Sequence, residues 1–200
     1  MPKPSGSGYL LNYIKKRHPM TERFGFILRH RFLLSAAIVF MLFSNSYAAG
    51  GQAEFKHKYL SLTLPAGWSV KGDAVTGDEL IGWLQSKSIP GGSILIFSYR
   101  GAFINYRNVR IRGLKRLAID YPKGQKQLKK PKKIRTEKGY KPKVELWQGF
   151  LDAGGMTVAL QSPMAVMKTK KSWILMIGYA PDASGAELEE DFLIILKSAK

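Results

Sequence analysis

The sequence predicts an α+β fold: an α/β/α sandwich whose mostly antiparallel sheet of about six to seven strands is covered by helices on both faces. Three observations predict it. Ser93–Tyr99 (SILIFSY) and Ser172–Tyr179 (SWILMIGY) are apolar at odd and even positions alike, so those strands bury both faces. Two segments, one central and one C-terminal, carry apolar residues at helical spacing and supply the covering layers. Turns of hairpin length join the later strands, which makes that part of the sheet antiparallel.

Tyr59–Pro65 (YLSLTLP) alternates, with Leu60, Leu62 and Leu64 on one face, and reads as a strand. Pro65-Ala66-Gly67 ends it, and Trp68-Ser69-Val70 continues extended. Leu80–Ser86 is a second, less regular strand. Pro90-Gly91-Gly92 turns the chain into Ser93–Tyr99. A helix follows over about Asn105–Tyr121, with Ile111, Leu114, Leu117, Ala118 and Tyr121 on its core stripe and Pro122 as its stop. Lys123–Lys133 (KGQKQLKKPKK) has no periodicity and reads as a mobile basic loop, with a short strand at Ile134–Glu137. Val144–Leu151 and Met156–Met167 form a hairpin around Ala153-Gly154-Gly155, and Pro163 predicts an edge position or a bulge in the second strand. Lys168–Lys171 turns into Ser172–Tyr179. The last helix starts at Asp182 or Ser184, where Ser184 and Glu187 have capping-box spacing, and it buries Leu188, Phe192, Ile195 and Leu196.

The N-terminus belongs to a different kind of segment. Arg29 and Arg31 precede Phe32–Phe43 (FLLSAAIVFMLF), and Ser46-Tyr47-Ala48 follows, the pattern of a signal peptide with cleavage near Ala48/Ala49. The apolar run is shorter than the roughly 17–25 residues of a spanning helix. Residues 1–48 therefore read as a leader and residues 49–200 as one exported domain, periplasmic or secreted by the general secretory route. An uncleaved leader retained at the inner membrane is the alternative, as is a start at Met20. The 200 residues include no Cys, which excludes disulfides, thiolate metal sites and Cys nucleophiles.

Within this frame, Leu60-x-Leu62-x-Leu64-Pro65-x-Gly67-Trp68 resembles the opening strand of the PsbP/DcrB-like fold. The Trp173 strand, Ala180-Pro181-Asp182 and a helix ending Ile195-Leu196-Lys197-Ser198 resemble its C-terminal half. The resemblance spans Phe55–Ser198. That superfamily includes a subunit of the photosynthetic oxygen-evolving complex, a Ran-binding import factor and bacterial envelope proteins. The resemblance implies a non-catalytic binding or accessory domain and does not choose the partner. The plant protein's metal and photosystem contacts have no matching positions here, and the Lys-rich segment departs from a minimal version of the fold.

Catalytic patterns are sparse. Residues 49–200 hold one histidine, His57, which reads as a solvated strand residue between Lys56 and Lys58. No phosphate-binding or dinucleotide fingerprint occurs, and Gly91-Gly92 and Gly154-Gly155 read as turns. A carboxylate pair for hydrolysis would draw on Asp73, Asp78, Glu79, Asp120, Glu145 or Asp152 at the sheet edge. Glu187–Asp191 reads as a solvated first turn favoured by the helix dipole.

Charge is the feature that asks for a function. The chain has 32 basic and 14 acidic residues. Arg107–Lys143 alone holds 15 basic residues against Asp120 and Glu137, so the basicity belongs to one segment. The predicted anion- or partner-binding residues are Arg107, Arg110, Arg112, Lys115 and Arg116 on the helix. Lys123, Lys126, Lys129, Lys130, Lys132, Lys133 and Arg135 follow in the basic loop 122–143. Like charges at this density favour an anionic partner. The leader and the thin aromatic interleaving argue against nucleic acid. An acidic protein or an anionic lipid surface remains, bound by peripheral adsorption because the helix stripe shows no Trp or Phe wedge. No cofactor, metal or small-molecule substrate is expected. The function so read is an exported, non-enzymatic accessory protein of the cell envelope, with an envelope hydrolase as the alternative.

Overall fold

The computed structural model describes residues 53–71 and 79–200. Residues 1–48, read above as a leader, and the candidate acids Asp73 and Asp78 lie outside the described residues. Nine strands are described: β1 Glu54–His57, β2 Leu60–Thr63, β3 Trp68–Val70, β4 Leu80–Ser86, β5 Ser93–Tyr99, β6 Gln125–Lys133, β7 Lys143–Ala153, β8 Met156–Lys168 and β9 Trp173–Pro181. Helix α1 is Tyr106–Asp120, and a short 3-10 turn at Asp182–Ser184 leads into α2, Gly185–Lys197.

Seven strands form one sheet in the order β3-β4-β5-β9-β8-β7-β6, antiparallel at every junction, and β1-β2 is a separate antiparallel pair. Each sheet face carries its own core. Leu188, Phe192, Ile195 and Leu196 of α2 and Phe55, Leu60 and Leu62 of the β1-β2 hairpin cover one face. Val109 and Leu117 of α1, with Tyr121, cover the other, against Met164, Leu175 and Ile177. The Pro-x-Gly-Trp segment ties the first face together: buried Trp68 donates its indole N–H to Asp191 Oδ2 at 2.7 Å. Ser61 and Lys200 exchange two backbone hydrogen bonds at 3.1 and 3.0 Å, so the C-terminus is sewn to β2.

Several sequence expectations need correction. The segment 123–133 is no loop: Gln125–Lys133 is an edge strand paired with β7. Its side chains are nearly all exposed, so no alternation of polarity marks it, and backbone hydrogen bonds hold it in place of burial. Register shifts at Gln127/Lys129 and Lys129/Lys132, together with Pro131 and the lysines, fit the way natural edge strands avoid self-pairing. Ile134–Glu137 is not a strand but part of the tight connection to β7, where Thr136 Oγ1 accepts from Tyr140 N.

Pro163 sits in an interior strand without a bulge. The β8–β9 ladder keeps one register and skips Ser162 and Pro163, so the missing N–H falls in a gap. Gly178 opposite accommodates the ring, since a Cβ there would lie 2.9 Å from Pro163 Cγ. Helix α1 packs through Val109, Gly113, Leu117 and Asp120, which leaves Ile111 and Ala118 of the expected stripe outside. Gly113 rotates the stripe, because a Cβ there would meet Met164 Sδ at 2.5 Å. Asn105 caps this helix as a β-region residue whose Oδ1 accepts from Asn108 N at 3.0 Å. The capping box at Ser184 does not form; the preceding 3-10 turn carries the chain directly into α2.

Candidate anion-binding surface

The structure divides the twelve predicted cations into two groups. Five are spent on acidic partners. Arg110 makes a bidentate pair with Glu145, its Nε to Oε1 at 2.6 Å and its Nη2 to Oε2 at 2.7 Å. Glu145 is the third residue of β7 and is buried. Gln127 Nε2 of β6 donates to the same Oε2 at 3.0 Å. The hydrogen bonds that Arg110 donates to Glu145 hold its guanidinium above its ordinary pKa. Burial, with the Glu145 charge second, raises the nearby Tyr106 phenol.

Arg112 pairs with Glu79 at 2.7 Å and lies over the Tyr99 ring, whose phenol burial pushes up to about 12. Arg116 reaches Asp120 at 3.3 Å, and Tyr179 donates its hydroxyl to the same Oδ2 at 2.7 Å. Burial raises the Asp120 carboxyl above its ordinary range, against the lowering effect of Arg116 and Tyr179. Lys123 stands 3.6 Å from Asp152, and Lys129 reaches both Glu189 oxygens on α2 at 2.8 and 2.6 Å. Two of the four early α2 acids, Glu189 and Asp191, therefore have partners and are not a merely solvated turn.

The second group is free of acids. Arg107, Lys115, Lys126, Lys130, Lys132, Lys133 and Arg135 are exposed and have no acidic partner among the described residues. Of these only Lys126 has a ring contact, 5.9 Å from the Phe150 centroid. Arg107 and Lys115 lie on α1; the other five lie on β6 or just after it. Cross-strand pairing sets their faces: Lys126 opposite Gln148 and Lys132 opposite Val144 point to the α2 side, as Lys129 does, and Lys133 opposite Lys143 points to the α1 side.

Between β6 and α2 runs a groove of 460 Å³. Lys130, Lys132 and Lys197 stand on its rim, Val144, Leu146 and Leu193 form its apolar lining, and the Lys129–Glu189 pair spans its wall. Glu145 shares this wall, but its carboxylate faces the α1 side, where Arg110 and Gln127 take it. Among the described residues no three His, Asp or Glu side chains gather as a metal-ligating set. His57 is half-buried and stacks edge-on against Tyr59 at 5.0 Å, so it is not the solvated residue its lysine neighbours imply. Desolvation lowers its imidazole pKa.

Comparison with known proteins gives a fold and no closer kinship. No family model matches the chain, and no curated protein matches it. The solution structure of cyanobacterial PsbP (CyanoP) from Synechocystis sp. PCC 6803 superposes with a TM-score of 0.54 over 80% of this chain and 98% of that one, at 9% identity. The chain has the PsbP fold. LpqN of Mycobacterium tuberculosis, a protein described as involved in cell envelope biogenesis, has a TM-score of 0.48 at 12% identity, over 75% of this chain and 90% of that one. The PsbP-like reading of the Pro-x-Gly-Trp segment thus holds at the level of fold, with Trp68 as the pin between sheet and α2.

Sequence reasoning missed one part of the surface. Phe103, in the turn before α1, is 91% exposed, and Ile111 and Ile119 on the outer side of the helix are 39% and 59% exposed. The helix stripe itself carries no Trp or Phe; the exposed ring belongs to the turn ahead of it, beside the two isoleucines. The signal was present: Phe103, Arg107, Ile111, Lys115 and Ile119 recur every fourth residue. Reading Ile111 as core concealed it.

Proposed function

We propose that this protein is an exported, non-enzymatic accessory factor of the cell envelope that holds an acidic segment of a partner protein along β6. The observation that carries the reading is the groove between β6 and α2. It is concave, its lining is apolar, and its rim presents Lys130, Lys132 and Lys197, with Lys126 alongside. A segment of alternating carboxylates and apolar side chains matches both features. A flat bilayer surface does not enter such a groove. Addition of a regular β-strand is disfavoured by Pro131 and the register shifts, so side-chain charge is the recognition element.

Export rests on the basic, apolar and small-residue sequence of the leader. The rival hydrolase needs two candidate acids in one concave site. Glu79, Asp120, Glu145 and Asp152 instead each have a separate cationic partner, in Arg112, Arg116, Arg110 and Lys123. That distribution favours a binder.

The test is fluorescence anisotropy with a labelled peptide alternating Glu and Leu. Binding at low salt is expected, and the triple substitution Lys126→Gln, Lys130→Gln, Lys132→Gln should weaken it roughly tenfold or more. Arg107→Gln with Lys115→Gln should leave it unchanged. Equal binding by the triple variant, or affinity insensitive to salt, overturns the reading.

A further inference from the structure

The outer face of α1 carries a second surface, separate from the groove. Its exposed stripe runs Arg107, Ile111, Lys115, Ile119 at one residue per turn, about 18 Å from end to end. Phe103 lies just ahead of the helix, its carbonyl held by Asn108 Nδ2 at 3.0 Å, so the turn bearing the ring is fixed to the first turn of α1. Arg107 and Lys115 have no partner among the described residues, and the first turn holds no acid. The helix's one acid, Asp120, is buried beneath it, and Glu79 nearby is engaged by Arg112.

From this arrangement we infer that α1 docks flat on an anionic bilayer, with Phe103 inserted at the headgroup–acyl boundary. A helix lying in that interface puts its apolar side chains below the headgroups and its cations among them. Exposing Phe103, Ile111 and Ile119 to water costs free energy that such a surface removes. Arg107 and Lys115 supply attraction to anionic lipid in the same orientation. A protein partner fits less well. The core of a protein interface gathers apolar groups and excludes charge, whereas here a cation separates Phe103 from Ile111 and another separates Ile111 from Ile119. Because α1 covers one face of the sheet while β6 is its edge, docking through α1 leaves the β6 edge open to the side. The inference does not depend on the groove.

The absence of cysteine permits a local readout in the full chain. Phe103→Cys, Ile119→Cys and Ile194→Cys, made singly, are labelled with an environment-sensitive fluorophore; Ile194 is an exposed α2 residue on the opposite side of the sheet. Each is mixed with phosphatidylglycerol-containing vesicles and with phosphatidylcholine vesicles. The expected result is a blue shift and quenching by brominated acyl chains at positions 103 and 119, with anionic vesicles only, and no change at 194. Arg107→Gln with Lys115→Gln should abolish the shift at 103, and the β6 triple substitution should preserve it. No shift at 103, an equal shift at 194, or an equal response to neutral vesicles overturns the inference. A retained shift with lost peptide binding would separate this surface from the groove.

Discussion

Removing Arg110 while Glu145 stays in place would strand a carboxylate whose side chain is 1% exposed. Arg110→Met should therefore destabilise the domain by about 3 kcal/mol, and adding Glu145→Gln should restore part of that loss. Urea unfolding of the two single variants and the double variant checks both statements. Asp120 behaves differently, because burial raises its pKa in the folded state. A carboxyl so shifted contributes stability that is fully present below its unfolded pKa and is lost as pH rises through the folded value. Asp120→Asn retains an acceptor for Tyr179 and removes the ionisation. Its urea midpoint relative to the unaltered protein should rise between about pH 3.5 and pH 7, and a fall would contradict the assignment. Neither role was legible in the sequence. Arg110 and Glu145 lie 35 residues apart, and only the seating of α1 over β7 brings them together.

Among the elements, α1 depends on a missing side chain in the strand beneath it. Gly149 of β7 lies under the Tyr121 ring, and any Cβ there would overlap ring atoms. Tyr121 is buried and its hydroxyl bonds Ser162 Oγ on β8. Gly149→Ala should force the ring out and break that bond, costing about 2 kcal/mol, measurable as a lowered urea midpoint with an unchanged slope. Strands and helices with strong periodicity were legible: β5, β8, β9 and α2 fall close to where SILIFSY, MTVALQSPMAVM, SWILMIGY and the Leu188 stripe put them. β6 was not, because an edge strand without buried side chains writes no alternation into the sequence. The placement of α1 was legible but its rotation was not, since Gly113 contributes contact without hydrophobicity.

At the scale of the molecule, the alternating order of strands and helices and the doubly apolar strands were sufficient for the architecture. The basic surface was legible as a segment but not as geometry. Adjacent cations in the sequence separate in space into those clamped by Glu145, Glu79, Asp120, Asp152 and Glu189 and those left open on β6 and α1. The strand order carries one more consequence. β3-β4-β5 and β8-β7-β6 are two meanders that share no ladder, and β9 alone bridges them. A nascent chain that has emerged only as far as Lys171 thus holds two unjoined half-sheets, each with an open edge where β9 will sit. Closure waits for β9, and α2, which follows it in the chain, can cap its face only after that. Until β9 arrives the two halves have no ladder to join them, so the seven-stranded sheet becomes one body only once Trp173–Pro181 is in place.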